Sequence, residues 1–461
     1  MKQRTRWAAL LAALALATAA CQASSGRAQR AAETLVGASN SAAGKRPGGA
    51  AVVSRDQVRF DVGVTKEPCP ERVNPQNSCI YLGTISDLSG PFSVLGVPAV
   101  EAQRAFWKRV NDQGGIGGFD VNVTRYVRDN KYDPATHKQV YEEIKGNVLA
   151  LGQTLGAPTT AAIIDDLTAN GIVAIPASWT SAWAYENVIM ESGNNYCAES
   201  INAVDFALRT SPEIKSVMAV HLPGDYGDDG AAGAKIGAAA HGLGFVAVPQ
   251  APTATGATTD AAVKAIVTQR PDLVILTVSP RETAVIVGAA VARGYKGLFI
   301  GNGPTWAPPL LQSSAAEALR KHYLQAAPWG SFDTQTAGHQ AMRAALGEVK
   351  GNDGYVFGWV WSYPLKAALE QAIRYGDLTR KGLLAAVGDL QSVNYEGILP
   401  EGAGDYADGP NDGGTVRQTV IQRPDDTAQS GVSVLENFFT GPTAASYTFT
   451  GPCFQVVNLQ G

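Results

Sequence analysis

The side chains able to do chemistry are spread over short polar loops. Ser89, Phe92 and Ser93 fall in one loop, Ala157 and Thr159 in a second, and Trp179 and Thr180 in a third. Tyr226, Ser279 with Glu282, and Trp306 fall in three more. Hydroxyls exchange hydrogen bonds and rings stack, so this set suits non-covalent capture of a small molecule better than bond breaking. The sequence has no Gly-x-Ser-x-Gly elbow, no His-Glu-x-x-His and no Walker loop. His137, His221, His241, His322 and His339 are scattered. Of these only His221, ending an expected strand, could reach a cleft, and a structural histidine is the favoured reading there. No cysteine spacing suggests a metal, and no cofactor is expected. Residues 405–413 carry oxygen ligands but lack the spacing and terminal Glu of a calcium loop, and read as a solvated turn. Residues 224–233 are glycine-rich without the spacing of a dinucleotide site.

These loops need strands to hold them. Residues 80–85 are an apolar run suited to a buried parallel strand. Residues 86–96 form a polar loop with a Ser-Gly-Pro turn, and 97–111 an amphipathic helix stopped by Gly114 and Gly115. Strands over 121–127, 148–151 and 172–175 alternate with helices over 133–145 and 160–170. The alternation repeats with strands at 217–221, 245–248, 273–277 and 298–300, between helices at 201–210, 231–243, 260–269 and 282–293. A return follows at 323–326, with helices at 335–348, 355–374 and 380–390 and short strands at 416–422 and 432–436. The expected fold class is α/β, with two doubly wound, Rossmann-like lobes. In such sheets ligands bind beyond the carboxyl ends of the strands, where the candidate loops lie.

Residues 1–20 read as a secretory signal, with Lys2, Arg4 and Arg6 before an apolar core too short to span a membrane. Cys21 follows directly and resembles the lipidated cysteine of a bacterial lipobox, with Thr18 where an aliphatic residue is usual. Ordinary cleavage after Ala19 or Ala20 is the alternative. Residues 21–59 lack periodicity and read as a flexible tether reaching about 30–40 Å.

Removing the signal leaves 34 basic against 41 acidic residues, which argues against nucleic acid. Beyond Cys21, Cys69, Cys79, Cys197 and Cys453 are enough for two disulfides in an exported chain. Three pairings are possible, and free buried thiols are the alternative. Cys69–Cys79 is favoured as a short loop pinning the N-terminal segment to the first strand, which leaves Cys197–Cys453. Roughly 380 folded residues exceed one ordinary core, which again predicts two lobes.

Several short motifs then fall into a familiar order. They are Ser89-Gly90-Pro91 with Gly96, the run from Asn111 to Gly118, Asp129 with Asp133-Pro134, Gly152, the segment 172–180, Asp225-Tyr226-Gly227 and Arg270-Pro271-Asp272. Over some 340 residues the chain resembles the type I periplasmic-binding-protein family, in its leucine/isoleucine/valine-binding branch. The resemblance implies two lobes joined by three crossings, placed near Cys197, Gln325 and Ser392, that close around a solute. It divides the chain into lobe one (60–198 and 326–392) and lobe two (199–325, with 393–461 as second part and tail).

The resemblance puts Thr180 where amino-acid binders hold the ligand carboxylate and Tyr226 on their second-lobe tyrosine. It finds Gly156 or Ala157, with Thr159 close by, where a hydroxyl is expected. Gly303 stands where an acid pairs the ligand ammonium, and Ser279 on another tyrosine position. A buried ammonium without a carboxylate costs several kcal/mol. Glu282 could serve, or be a helix-start acid, so no branched-chain amino acid is inferred. Phe92, Trp179 and Trp306 could stack on an apolar or aromatic ligand. The expectation is a non-enzymatic, monomeric, lipid-anchored binding protein that feeds a small polar or amino-acid-like solute to an ABC permease. A ligand sensor of the same fold is the alternative, and a secreted α/β hydrolase the remote one.

Overall fold

A computed structural model describes residues 54–252, 258–407 and 416–459. The signal, Cys21, most of the tether and part of the 405–413 turn lie outside the described residues. The folded chain is already engaged at its described start. Strand β1 (Arg59–Phe60) pairs in parallel with β12 (Asp377–Leu378), and Arg59 bonds Asp377 at 2.6 Å. The end of the expected tether is thus part of the folded body.

The first sheet contains β2 (Val64–Thr65), β3 (Ser78–Ser86), β4 (Phe119–Asp129), β5 (Ala150–Leu155) and β6 (Ala174–Ala177). Strand β3 is central and parallel to β4 and β5, and nearly all of it is buried, which is why it reads as a continuous apolar run. The second sheet has seven strands. In spatial order they are β14 (Val432–Phe439), β13 (Thr419–Pro424), β11 (Tyr323–Ala327), β10 (Leu298–Gly301), β9 (Leu273–Thr277), β7 (Ser216–His221) and β8 (Gly244–Pro249). Strands β7 to β11 are parallel, and the β13–β14 hairpin returns antiparallel on β11.

The chain passes from the first sheet to the second between Ala177 and Ser216. It then leaves β11 for helices that cover the first sheet. Among these, Asp353–Val360 packs so closely on Ser93–Asp112 that a Cβ at Gly358 would meet the Ala99 carbonyl oxygen at 1.9 Å. It crosses back before β13. Two disulfides close, Cys69–Cys79 and Cys197–Cys453. The second ties the tail to the first turn of helix Tyr196–Thr210, between the sheets.

Several element boundaries differ from the expectation, and two of the differences have a clear physical cause. The helix expected over 355–374 is two, Asp353–Val360 and Ser362–Arg374, because Pro364 has no N–H to offer the Val360 carbonyl. The strand expected to end at Leu151 continues to Leu155, because its polar residues are bonded inside the sheet: Gln153 donates to Ser86 Oγ at 2.8 Å.

Candidate functional site

The loop after β3 is shaped by two carboxylates. Asp87, fully buried, accepts the N–H groups of Gly90 and Phe92. Burial holds its carboxyl above the usual range while those donors pull it back. Asp129 accepts Leu88 N–H at 2.9 Å and the Ser89 hydroxyl at 2.6 Å. Ser89 is thereby spent on the loop, and what the loop delivers to the cleft is the Phe92 ring.

The loop after β5 turns at Gly156, whose φ is +101°. A Cβ there would lie 2.8 Å from the Tyr132 ring, so glycine lets Tyr132 pack against the loop. Ala157 follows and faces the cleft. Thr159 does not, since its hydroxyl bonds back to the Leu155 and Gly156 carbonyls. After β6, Ser178 and Trp179 face the cleft, with Trp179 Nε1 donating to Ser192 O at 3.0 Å. Thr180 is buried away from the cavity.

The second lobe contributes Tyr226, from the start of helix Asp225–Ala240, and Pro304. The Tyr226 hydroxyl donates to Val278 O at 3.1 Å. Ser279 and Glu282 form a capping box on helix Pro280–Ala292, so Glu282 sits as a helix-start acid. Trp306 stacks on Tyr323 at 5.6 Å and donates to Ser430 O at 3.0 Å, away from the cavity. Behind Gly303 stands an acid that sequence reasoning missed. Glu199 accepts Gly303 N–H and Asn302 Nδ2, each at 2.8 Å, and burial pushes its carboxyl up to about 8. It braces the loop that carries Pro304 and does not line the cavity.

These elements line about 420 Å³ of unfilled space that is in part open to solvent, of which about 40 Å³ admits the centre of a water molecule. Of the expected site residues, the structure brings Phe92, Ala157, Trp179 and Tyr226 together here. Ser89, Thr159, Thr180, Ser279, Glu282 and Trp306 lie elsewhere. Tyr132, Tyr196, Phe357 and Trp361 complete an aromatic wall that sequence reasoning missed, and Leu95, Ala99 and Leu155 add aliphatic surface. Phe357 and Trp361 read as core because they sit four apart in an apolar helix, and nothing in the pattern separates a core wall from a cavity wall. The rings brace one another: Trp179 meets Phe357 at 5.1 Å, Tyr196 meets Tyr226 at 4.7 Å, and Phe92 meets Tyr132 at 4.5 Å. Phe92 also meets Tyr226 across the cleft at 6.0 Å, so the lobes touch over the cavity. No lining residue is an acid, a base or a histidine.

This architecture, two α/β lobes closing on a cavity at their strand ends, is that of a solute-binding protein. A family model described as periplasmic binding protein matches residues 80–429, and the chain belongs to that family. A fatty acid ABC transporter substrate-binding protein from Thermomonospora curvata is similar in structure, with a TM-score of 0.77 and 26% identity over 87% of this chain and 99% of that one. A branched-chain amino acid ABC transporter protein from Thermus thermophilus, solved with bound valine, has a TM-score of 0.68 at 17% identity over 80% and 98% of the two chains. A solute-binding protein from R. palustris, in complex with 4-hydroxybenzoate, has a TM-score of 0.65 at 17% identity over 79% and 98%. The last two likenesses show the fold alone. No curated protein matches by sequence. Among the described residues no helix is long and apolar enough to cross a membrane.

Proposed function

We propose that this chain captures an apolar or aromatic solute lacking a primary ammonium group. Its role is that of the solute-binding component of an ABC importer. One observation carries the choice of solute: the cavity wall is rings and aliphatic side chains, with no carboxylate in contact with the space. An amino acid placed there would leave its ammonium protons unpaired, at several kcal/mol. An apolar body gains about 25 cal/mol per Å² removed from water. The fatty acid-binding relative from Thermomonospora curvata supports the same reading. Binding energy goes into holding the lobes shut, and a permease would recognise the shut form. We further propose export by residues 1–20, lipid attachment at Cys21 and a monomeric body.

Thermal-shift screening of the full chain tests this. Aromatic alcohols, and at pH 5 medium-chain fatty acids and aromatic acids, are expected to raise the Tm. A ligand at 100 times its Kd adds about 2.7 kcal/mol. Stabilisation by leucine, isoleucine or valine alone would overturn the reading.

A further inference from the structure

Two of the three phenol groups lining the cavity have protons that no acceptor among the described residues takes. Tyr226 donates to Val278 O. Tyr132 and Tyr196 line the same space, and among the described residues no acceptor takes either proton; the Trp179 backbone N–H beside Tyr196 can only donate. Neither hydroxyl is sealed from water, so a ligand that displaces water from these phenols must offer an acceptor or forfeit about 1–3 kcal/mol for each. Besides other phenols, the ionisable groups that act on these three are carboxyl groups, and none of those carboxyls lines the cavity itself. Asp225, Asp87 and Glu282 act on Tyr132, and Glu199 acts on Tyr196 and Tyr226. No basic side chain lines the cavity; the nearest in sequence, Lys131, is exposed. Burial keeps the phenols protonated, so they remain donors.

The geometry points to a cavity that holds its solute uncharged: Tyr132 and Tyr196 donate to a neutral oxygen (a hydroxyl, a carbonyl or an undissociated carboxyl), and a carboxylate anion is turned away. An anion would find no basic side chain on the cavity wall and would be stripped of water without a partner. A quaternary ammonium group would find rings but leave both phenol protons unpaired. A neutral oxygen takes the protons and adds no charge. This rests on the apolar-solute reading above and selects within it.

Titration calorimetry with toluene, benzyl alcohol, benzoic acid and benzyltrimethylammonium on the full chain tests it between pH 5 and 8. Toluene supplies the body without a head group, and the alcohol reports the protein's own pH dependence. The affinity for benzoic acid, relative to benzyl alcohol, is expected to fall about tenfold per pH unit, following its undissociated fraction. In Tyr132→Phe/Tyr196→Phe the alcohol is expected to lose about five- to tenfold against toluene, whose own affinity stays. A pH-independent acid-to-alcohol ratio would overturn the proposal, as would tighter binding of benzyltrimethylammonium than of the alcohol. An unchanged alcohol-to-toluene ratio in the double variant would remove the two tyrosines. If neither toluene nor benzyl alcohol binds the wild-type chain, the apolar-solute reading fails, and the proposal with it.

Discussion

Asp229 takes both hydrogen-bond donors of Ser181, the backbone N–H at 2.8 Å and the hydroxyl. Ser181 lies just past the first sheet and Asp229 on the helix that carries Tyr226, so one buried carboxylate joins the two lobes. Cys453 N–H donates to the same hydroxyl oxygen at 2.8 Å, which brings the disulfide-tied tail to this joint.

Burial pushes Asp229 from 3.8 up to about 7, against the pull of the Ser181 donors. A carboxyl whose folded value is raised binds its proton more tightly folded than unfolded. Its contribution to stability is therefore whole below about pH 4 and lost as pH rises through about 7. Asp229→Asn removes this dependence. Melting curves from pH 4 to 8 are expected to show a smaller fall in Tm for the variant than for the wild type. Parallel curves would mean the proton on Asp229 does not matter to folding.

Gly156→Ala forces a side chain into φ +101° and against the Tyr132 ring. Strain of this kind costs about 1–3 kcal/mol. Urea unfolding is expected to show that loss, and solute affinity to fall with it because Tyr132 must move. Unaltered affinity would detach Tyr132 from binding.

The two disulfides differ in the chain they close, with sequence separations of 10 for Cys69–Cys79 and 256 for Cys197–Cys453. On loop-closure entropy, replacing the first pair by serines costs about 3 kcal/mol and the second about 5. Denaturant unfolding of the two double variants is expected to rank them in that order. The reverse order would show that the tail is held by its packing instead of by the bond.

Glu199 is uncharged at neutral pH, so Glu199→Gln keeps the acceptor that Gly303 N–H uses. Its expected effect on unfolding free energy at pH 7 is under about 1 kcal/mol, whereas Glu199→Ala strands a buried N–H at about 1–3 kcal/mol. Equal losses in both variants would point to a charged Glu199.

The lobes were legible because parallel strands buried on both faces leave apolar runs such as Ile80 to Ile85, punctuated by glycines. The cavity was only half legible. Phe92, Ala157, Trp179 and Tyr226 sit on strand-end loops, where topology alone directs attention. Tyr132 entered through a left-handed backbone, φ +56°, that its neighbours do not announce. Tyr196 opens a helix, and Phe357 and Trp361 come from the helix Asp353–Val360 and the residue that follows it, in a remote part of the chain that covers the first sheet. Ser89, Thr159 and Ser279 show the opposite error. A hydroxyl near a strand end satisfies the local backbone or a neighbouring acid as readily as it meets a ligand.

The two-residue pairing of Arg59–Phe60 with Asp377–Leu378 fixes the half of the molecule at which the described chain joins the body. The chain enters the body at the half built on β3, and any restraint applied upstream of Ser54 is transmitted to that half first. Were the molecule tethered at Cys21, the half bearing Tyr226 and Pro304 would be the one free to swing. Its height above the membrane, and not that of the other half, would report whether the cavity is occupied.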